Sequence, residues 1–177
     1  MKTHRLLALT LAFLPAFVLT RPVGDDLHKK VTDTIANFKK ADPGMEKFFA
    51  SAVGYAVFPS VGKGAIGIGG AHGSGELIVG GKAIGKCTLT QVTVGFQLGG
   101  QAYSEIIFFE KQNTVDGFKN GDFAFSAQAT AVAVTAGAAA NAAYRNGVAV
   151  FTHIKGGLMY EASIGGQKFT FDPYGAK

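Results

Sequence analysis

Thr88-Leu89-Thr90-Gln91-Val92-Thr93-Val94-Gly95-Phe96-Gln97-Leu98 is the stretch on which the reading of the fold turns. Val92, Val94, Phe96 and Leu98 recur at every second position, with Gln91, Thr93 and Gln97 between them. A period of two is the mark of a strand, whose side chains alternate between opposite faces. Working outward, similar short runs recur between glycines. Tyr55-Ala56-Val57-Phe58 stops at Pro59, and Tyr103 to Phe109 is dense enough to be buried on both faces. Phe123 to Thr135 alternates Phe123, Phe125 and then alanines with Ser126, Gln128, Thr130, Val132 and Val134. Val148–Ile154 and Leu158–Ile164 flank Lys155-Gly156-Gly157 as a hairpin, and Phe169-Thr170-Phe171 closes the series. Strands this short with turn signals this close predict an antiparallel sheet or partly closed barrel.

Helices precede the strands. Leu27, Val31, Ile35 and Phe38 fall within an arc of roughly 80° at the helical repeat. Asp25 and Asp26 suit a helix N-terminus, and Asp42-Pro43-Gly44 ends the segment, which predicts a helix over Asp25–Ala41. A second, short helix is expected over Met45–Ala52 with Phe48 and Phe49 inward. The fold class is therefore α+β: N-terminal helices packed on an antiparallel, partly barrel-like β-sheet.

The chain has 177 residues, of which 47% are apolar and 16% charged, with 25 Gly, five Pro and one Cys. That length makes one domain with a real core, and so apolar a chain is not disordered. The glycines follow no three-residue period, which excludes collagen, and the lone Cys87 excludes a disulfide scaffold.

A formal charge of +5 suggests nucleic acid until it is located. Met1-Lys2-Thr3-His4-Arg5 precedes Leu6 to Leu19, which is apolar apart from Thr10 and Pro15. A short basic flank before about 7–15 apolar residues is the pattern of a signal peptide. A spanning helix needs about 20, and Pro15 interrupts this run. Residues 1–21 are expected to be a signal peptide, cleaved between Ala16 and Gly24, and 25–177 a single domain. Cleavage after Arg21 removes Lys2, Arg5 and Arg21 and leaves 14 basic against 12 acidic residues, a charge of +2. The remaining lysines are interleaved with acids, not gathered in a stripe, so nucleic acid is not expected as a partner.

Two glycine patterns imitate nucleotide loops. Gly62-Lys63-Gly64-Ala65-Ile66-Gly67 has dinucleotide-turn spacing, and Gly80 to Gly85-Lys86-Cys87 resembles a P-loop. Both chemistries need a helix to follow, with its amides aimed at phosphate. The sequels here are glycine-rich or strand-like, so neither is adopted. His4, His28, His72 and His153 are not spaced for chelation. Cys87 beside Lys86 would have a depressed thiol pKa, or else be a small strand residue. Glu105, Glu110 and Glu161 are the acids in the strand region. No catalytic residue, metal or cofactor is assigned. Lys63, Lys82, Lys86 and Lys155 lie in glycine-rich turns, where amides and an ammonium make a weak anion site or the lysines protect strand edges.

Tyr55-Ala56-Val57-Phe58-Pro59, the glycine run Gly62 to Gly75, Gly99-Gly100-Gln101 before Ser104-Glu105-Ile106-Ile107-Phe108, and Tyr144 through Lys155-Gly156-Gly157-Leu158 to Gly165-Gly166-Gln167-Lys168 occur in that order. Together they resemble the SYLF domain, over roughly residues 27 to 175, and the block Val148 to Gln167 is similar to its bacterial exported branch. The resemblance implies binding of acidic lipids, phosphoinositides in eukaryotic members, without known catalysis. It also implies membrane contact by an N-terminal amphipathic helix, a place that Leu27 to Phe38 occupies. Some fungal members bind actin, which is not expected as a partner of an exported chain.

The expected lipid-binding residues are Lys29, Lys30, Lys39 and Lys40 at anionic headgroups, Leu27, Val31, Ile35 and Phe38 on the apolar face, and Lys63, Lys82 and Lys86 in the turns. One apolar face cannot both pack on the sheet and enter a membrane. Packing at rest is expected, with insertion requiring release. The expected setting is periplasmic or extracellular, peripheral on a membrane. The rival reading is a cell-envelope structural or protein-interaction module.

Overall fold

The computed structural model describes residues 23–66, 68–94, 101–125, 130–156 and 162–175. The expected signal peptide, Phe96 to Leu98, Ser126, Gln128, Glu161 and the Gly157 end of the expected hairpin lie outside them. Helix α1 (Val23–Ala41) ends at Asp42, whose carboxylate accepts from the Gly44 amide and caps a 3-10 turn over Pro43–Met45. Helix α2 (Glu46–Ser51) follows directly. The strands are β1 (Gly54–Ile66), β2 (Ile68–Val79), β3 (Lys82–Val94), β4 (Gln101–Phe109), β5 (Thr130–Ala133), β6 (Val148–Gly156), β7 (Ala162–Ser163) and β8 (Gln167–Pro173). Helix α3 (Gln112–Asn120) lies between β4 and β5 and ends at Gly121 in the left-handed conformation, with φ 76°. The sequence reading assigns no helix there, because only Val115 and Phe118 are apolar anchors in nine residues.

The sheet order is β7-β5-β6-β4-β1-β2-β3-β8. It is mostly antiparallel, which bears out the mixed helix-and-sheet class, but three details are corrected. First, β5 runs parallel to β6, pairing Val132 with Phe151 and Ala133 with Thr152. The connection over 134–147, with a 3-10 turn at Ala138–Asn141, is long enough to return the chain to the same end. Second, β7 pairs with β5, so among the described residues it forms no hairpin with β6. Third, the sheet is not closed into a barrel. β7 and β8 stand at opposite ends of the order, and among the described residues the segment before β5 meets the β8 end through an Ala124–Lys168 bridge and a Gly166 N–H to Phe125 carbonyl bond. Two residues in β7 are too few to zip the seam.

Pro59 does not stop β1. The strand continues through it at an irregularity between Val57 and Val61, where a residue without an N–H is tolerated. The Ser104 hydroxyl donates to the Pro59 carbonyl at 2.9 Å and secures the break. Among the described residues of the span Phe123 to Thr135, strand runs over Thr130–Ala133.

Each face of the sheet carries a core. On one, Val31 and Phe38 of α1, Met45 and Phe48 pack on Val57, Ile106, Phe108 and Phe151. On the other, Val115 and Phe118 of α3 pack with Phe58, Leu77, Leu89, Ile107, Phe109 and Phe169. Tyr103 to Phe109 is buried throughout, as its density predicts. Asp42 also fixes the Ala-rich connection, accepting from the Ala139 amide at 2.7 Å. That bond is the largest cause holding its carboxyl below the usual range.

Candidate functional site

The charges of α1 are largely committed to local partners. Lys29 pairs with Asp33 and Lys30 with Asp26, each at 2.6 Å and one helical turn apart. Lys39 reaches Glu46 at 2.9 Å and lies over the Phe49 ring. Lys40 is exposed and makes no ion pair among the described residues. On the opposite face Val31 and Phe38 are buried against the sheet, with Leu27 and Ile35 partly buried beside them. His28 Nδ1 lies 2.9 Å from the buried carboxylate of Glu76 on β2, and the Tyr174 hydroxyl donates to the same group at 2.6 Å. This clasp joins α1, β2 and the C-terminal segment.

The turn lysines are dispersed. Lys82 follows the Gly80-Gly81 turn, and Lys86 faces Glu76 and Asp172 across the ladders; both are exposed. The Lys63 backbone pairs with Ala71 and Gln101, and its side chain lies outside the described residues. Beyond Gly62 and Gly85 the chain is strand, so neither glycine pattern opens a phosphate-binding helix. Cys87 is buried in β3, and burial pushes its thiol up, with Glu76 adding to the effect. The depressed thiol is thereby corrected. His72 is exposed on β2, and His153 packs against the Phe38 ring. No three His, Cys, Asp or Glu side chains gather to hold a metal among the described residues.

What the sequence reading misses is a cleft of about 580 Å³ at the β5–β6 end of the sheet. Its apolar lining includes Phe123, Phe125, Val132, Val148, Val150 and Ile164, and its polar rim is Asn141, Arg145 and Asn146. Among the described residues β5 pairs with β6 at Phe151 and Thr152, toward the middle of β6. Arg145 is placed by a tight turn: Arg145 and Val148 exchange backbone bonds, and Asn146 and Gly147 take φ of 52° and 81°. Asn-Gly is the residue pair that such a two-residue turn favours. Arg145 is exposed and makes no ion pair among the described residues. Asn146-Gly147 was the one signal of this site in the sequence. None of the expected lipid-binding residues whose side chains are described lines the cleft.

Residues 90–174 match the family described as Ysc84, Las17-binding protein actin regulator. Over that span, just under half of its length, the chain is similar to the Ysc84 (SYLF) family. No curated protein matches the chain. The Ysc84 segment runs from the second half of β3 to Tyr174 and contains every residue of the cleft. Helices α1 and α2 and strands β1 and β2 precede it.

Proposed function

We propose that the chain is an exported, non-enzymatic domain that binds anionic amphiphiles, acidic phospholipids or phosphoinositide-like headgroups, at a membrane surface. The cleft carries this reading: an apolar floor of ligand-binding size beside one uncommitted guanidinium. An acyl stem would displace water from Phe123, Phe125, Val148 and Val150, while Arg145 meets the phosphate through its planar fork of donors. The match to the Ysc84 family over the cleft residues supports the same reading. The lysines of α1 contribute a second, weaker attraction, because three of the four are already paired. The apolar face of α1 stays on the sheet at rest and meets lipid only on release. The family description speaks of actin regulation; for an exported chain actin is not proposed.

Co-sedimentation with neutral and acidic liposomes at two salt concentrations tests this. Binding to acidic vesicles alone, weaker at high salt, is expected. Arg145→Ala should weaken it about fivefold, the factor for about 1 kcal/mol per cation at an anionic surface. No sedimentation with either vesicle overturns the reading. Capture of an envelope protein that survives lipid removal would then favour the interaction module. No helix among the described residues is long and apolar enough to cross a membrane. N-terminal sequencing of the mature protein tests export and places cleavage between Ala16 and Gly24.

A further inference from the structure

The core on the α3 side of the sheet contains polar side chains that its packing does not need. Glu105 of β4, Thr152 of β6 and Gln167 of β8 are all fully buried. Gln167 Nε2 donates to Glu105 Oε2 at 3.0 Å and lies 3.4 Å from the Tyr103 hydroxyl. Thr152 stands opposite Glu105 in the β4–β6 ladder. Gln91 stands opposite Gln167 in the β3–β8 ladder and donates to the Gly165 carbonyl at 2.7 Å. Four strands therefore bring polar groups to one place inside an apolar core.

Glu105 Oε1, Gln167 Oε1 and Thr152 Oγ1 are buried and make no hydrogen bond among the described residues. Buried polar atoms are nearly always paired, so orphans this close together call for a partner. Once Glu105 is ionised, its carboxylate and the amide oxygen can only accept, which makes the partner of that form a donor or a cation. The groups facing Glu105 are Phe58 of β1, Tyr103 of its own strand, Thr152 and Gln167. None is cationic, and no ion pair reaches Glu105 among the described residues.

We propose that Glu105, Gln167 and Thr152 form a buried site for a monovalent alkali cation, with the Tyr103 hydroxyl beside it. An all-oxygen donor set suits a hard cation and not a thiophilic or imidazole-seeking metal. Charge selects the valence. One carboxylate neutralises one positive charge, whereas a divalent ion would leave a net charge buried at high cost. The proton is the competitor: burial raises the Glu105 carboxyl to about 8, so the ion is held progressively more weakly as pH falls below that value. The site is separate from the cleft and does not rest on the amphiphile reading.

Thermal unfolding at equal ionic strength in sodium, potassium and choline chloride tests the site, choline being too large to enter it. At pH 9, sodium or potassium should raise Tm by about 2–4 °C over choline, as expected for an ion about fivefold above its dissociation constant. The difference should vanish at pH 6 and in Glu105→Gln. Equal Tm in all three salts for the unmodified protein at pH 9 overturns the proposal. So does an alkali effect that persists in Glu105→Gln, or stabilisation by calcium chloride where alkali salts give none.

Discussion

At the scale of single residues, the polar positions inside the sheet are the most informative. Gln91 belongs to the stretch that announces β3, and its alternation is real, but the inward side is the one carrying Cys87, Leu89 and Gln91. Val92 is 73% exposed. Hydrophobicity alone would have turned that strand over. Gln91 is held inside because its amide has a carbonyl to meet. Glu105 has a measurable signature. Its carboxyl stays protonated in the fold up to about 8, whereas the unfolded chain loses that proton near 4.5. Between those values unfolding releases a proton, so this group's contribution to stability is full below the lower pKa and falls as pH rises to the upper one. In choline buffer, denaturant titrations from pH 4 to 9 should show that decline, and Glu105→Gln should flatten it and be the more stable at pH 8. An unchanged pH profile in the variant would remove Glu105 as its cause.

At the scale of elements, α1 is decided by which of its faces does work. Its lysines make exposed pairs one turn apart, each contributing at most about 1 kcal/mol. Its apolar face inserts Phe38, fully buried, against His153 and the sheet. Phe38→Ala should therefore cost about 3–5 kcal/mol in denaturant unfolding, and Lys29→Ala under about 1. Comparable costs for the two would mean that α1 is held by charge and not by packing. The same asymmetry bears on lipid binding: a helix this firmly seated needs a trigger to leave, and the His28–Glu76–Tyr174 clasp adds to what must break. Tight contact also explains Gly75 on β2. A Cβ there would be driven into the Val57 carbonyl and the Phe58 ring, so the two strands can approach only because the side chain is missing.

At the scale of the whole molecule, a sheet cored on both faces leaves its cleft at the end where β5 and β7 are too short to complete the layer. Protein purified without added lipid should carry co-extracted amphiphile, read by mass spectrometry after organic extraction, and Arg145→Ala should carry less. Lipid-free wild type with no Tm response to acidic phospholipid would count against the cleft. Much of this architecture is legible in the sequence, because period two, period 3.6 and the Asp42-Pro43-Gly44 stop are local patterns set by backbone geometry. They announce α1, α2, β1, β3, β4, β6 and β8, and they rule out the nucleotide loops. Strand order is not local. β5 lies parallel to β6 and takes β7 from its expected hairpin, because the Ala-rich connection is pinned through Asp42, 97 residues away. The lysines are visible in the sequence as charges, but their pairing is not, nor is the meeting of Phe123, Arg145 and Ile164 around one cleft. Glu105, Thr152 and Gln167 likewise come from three strands, and only the tertiary structure, by removing them from water together, makes their unpaired oxygens matter.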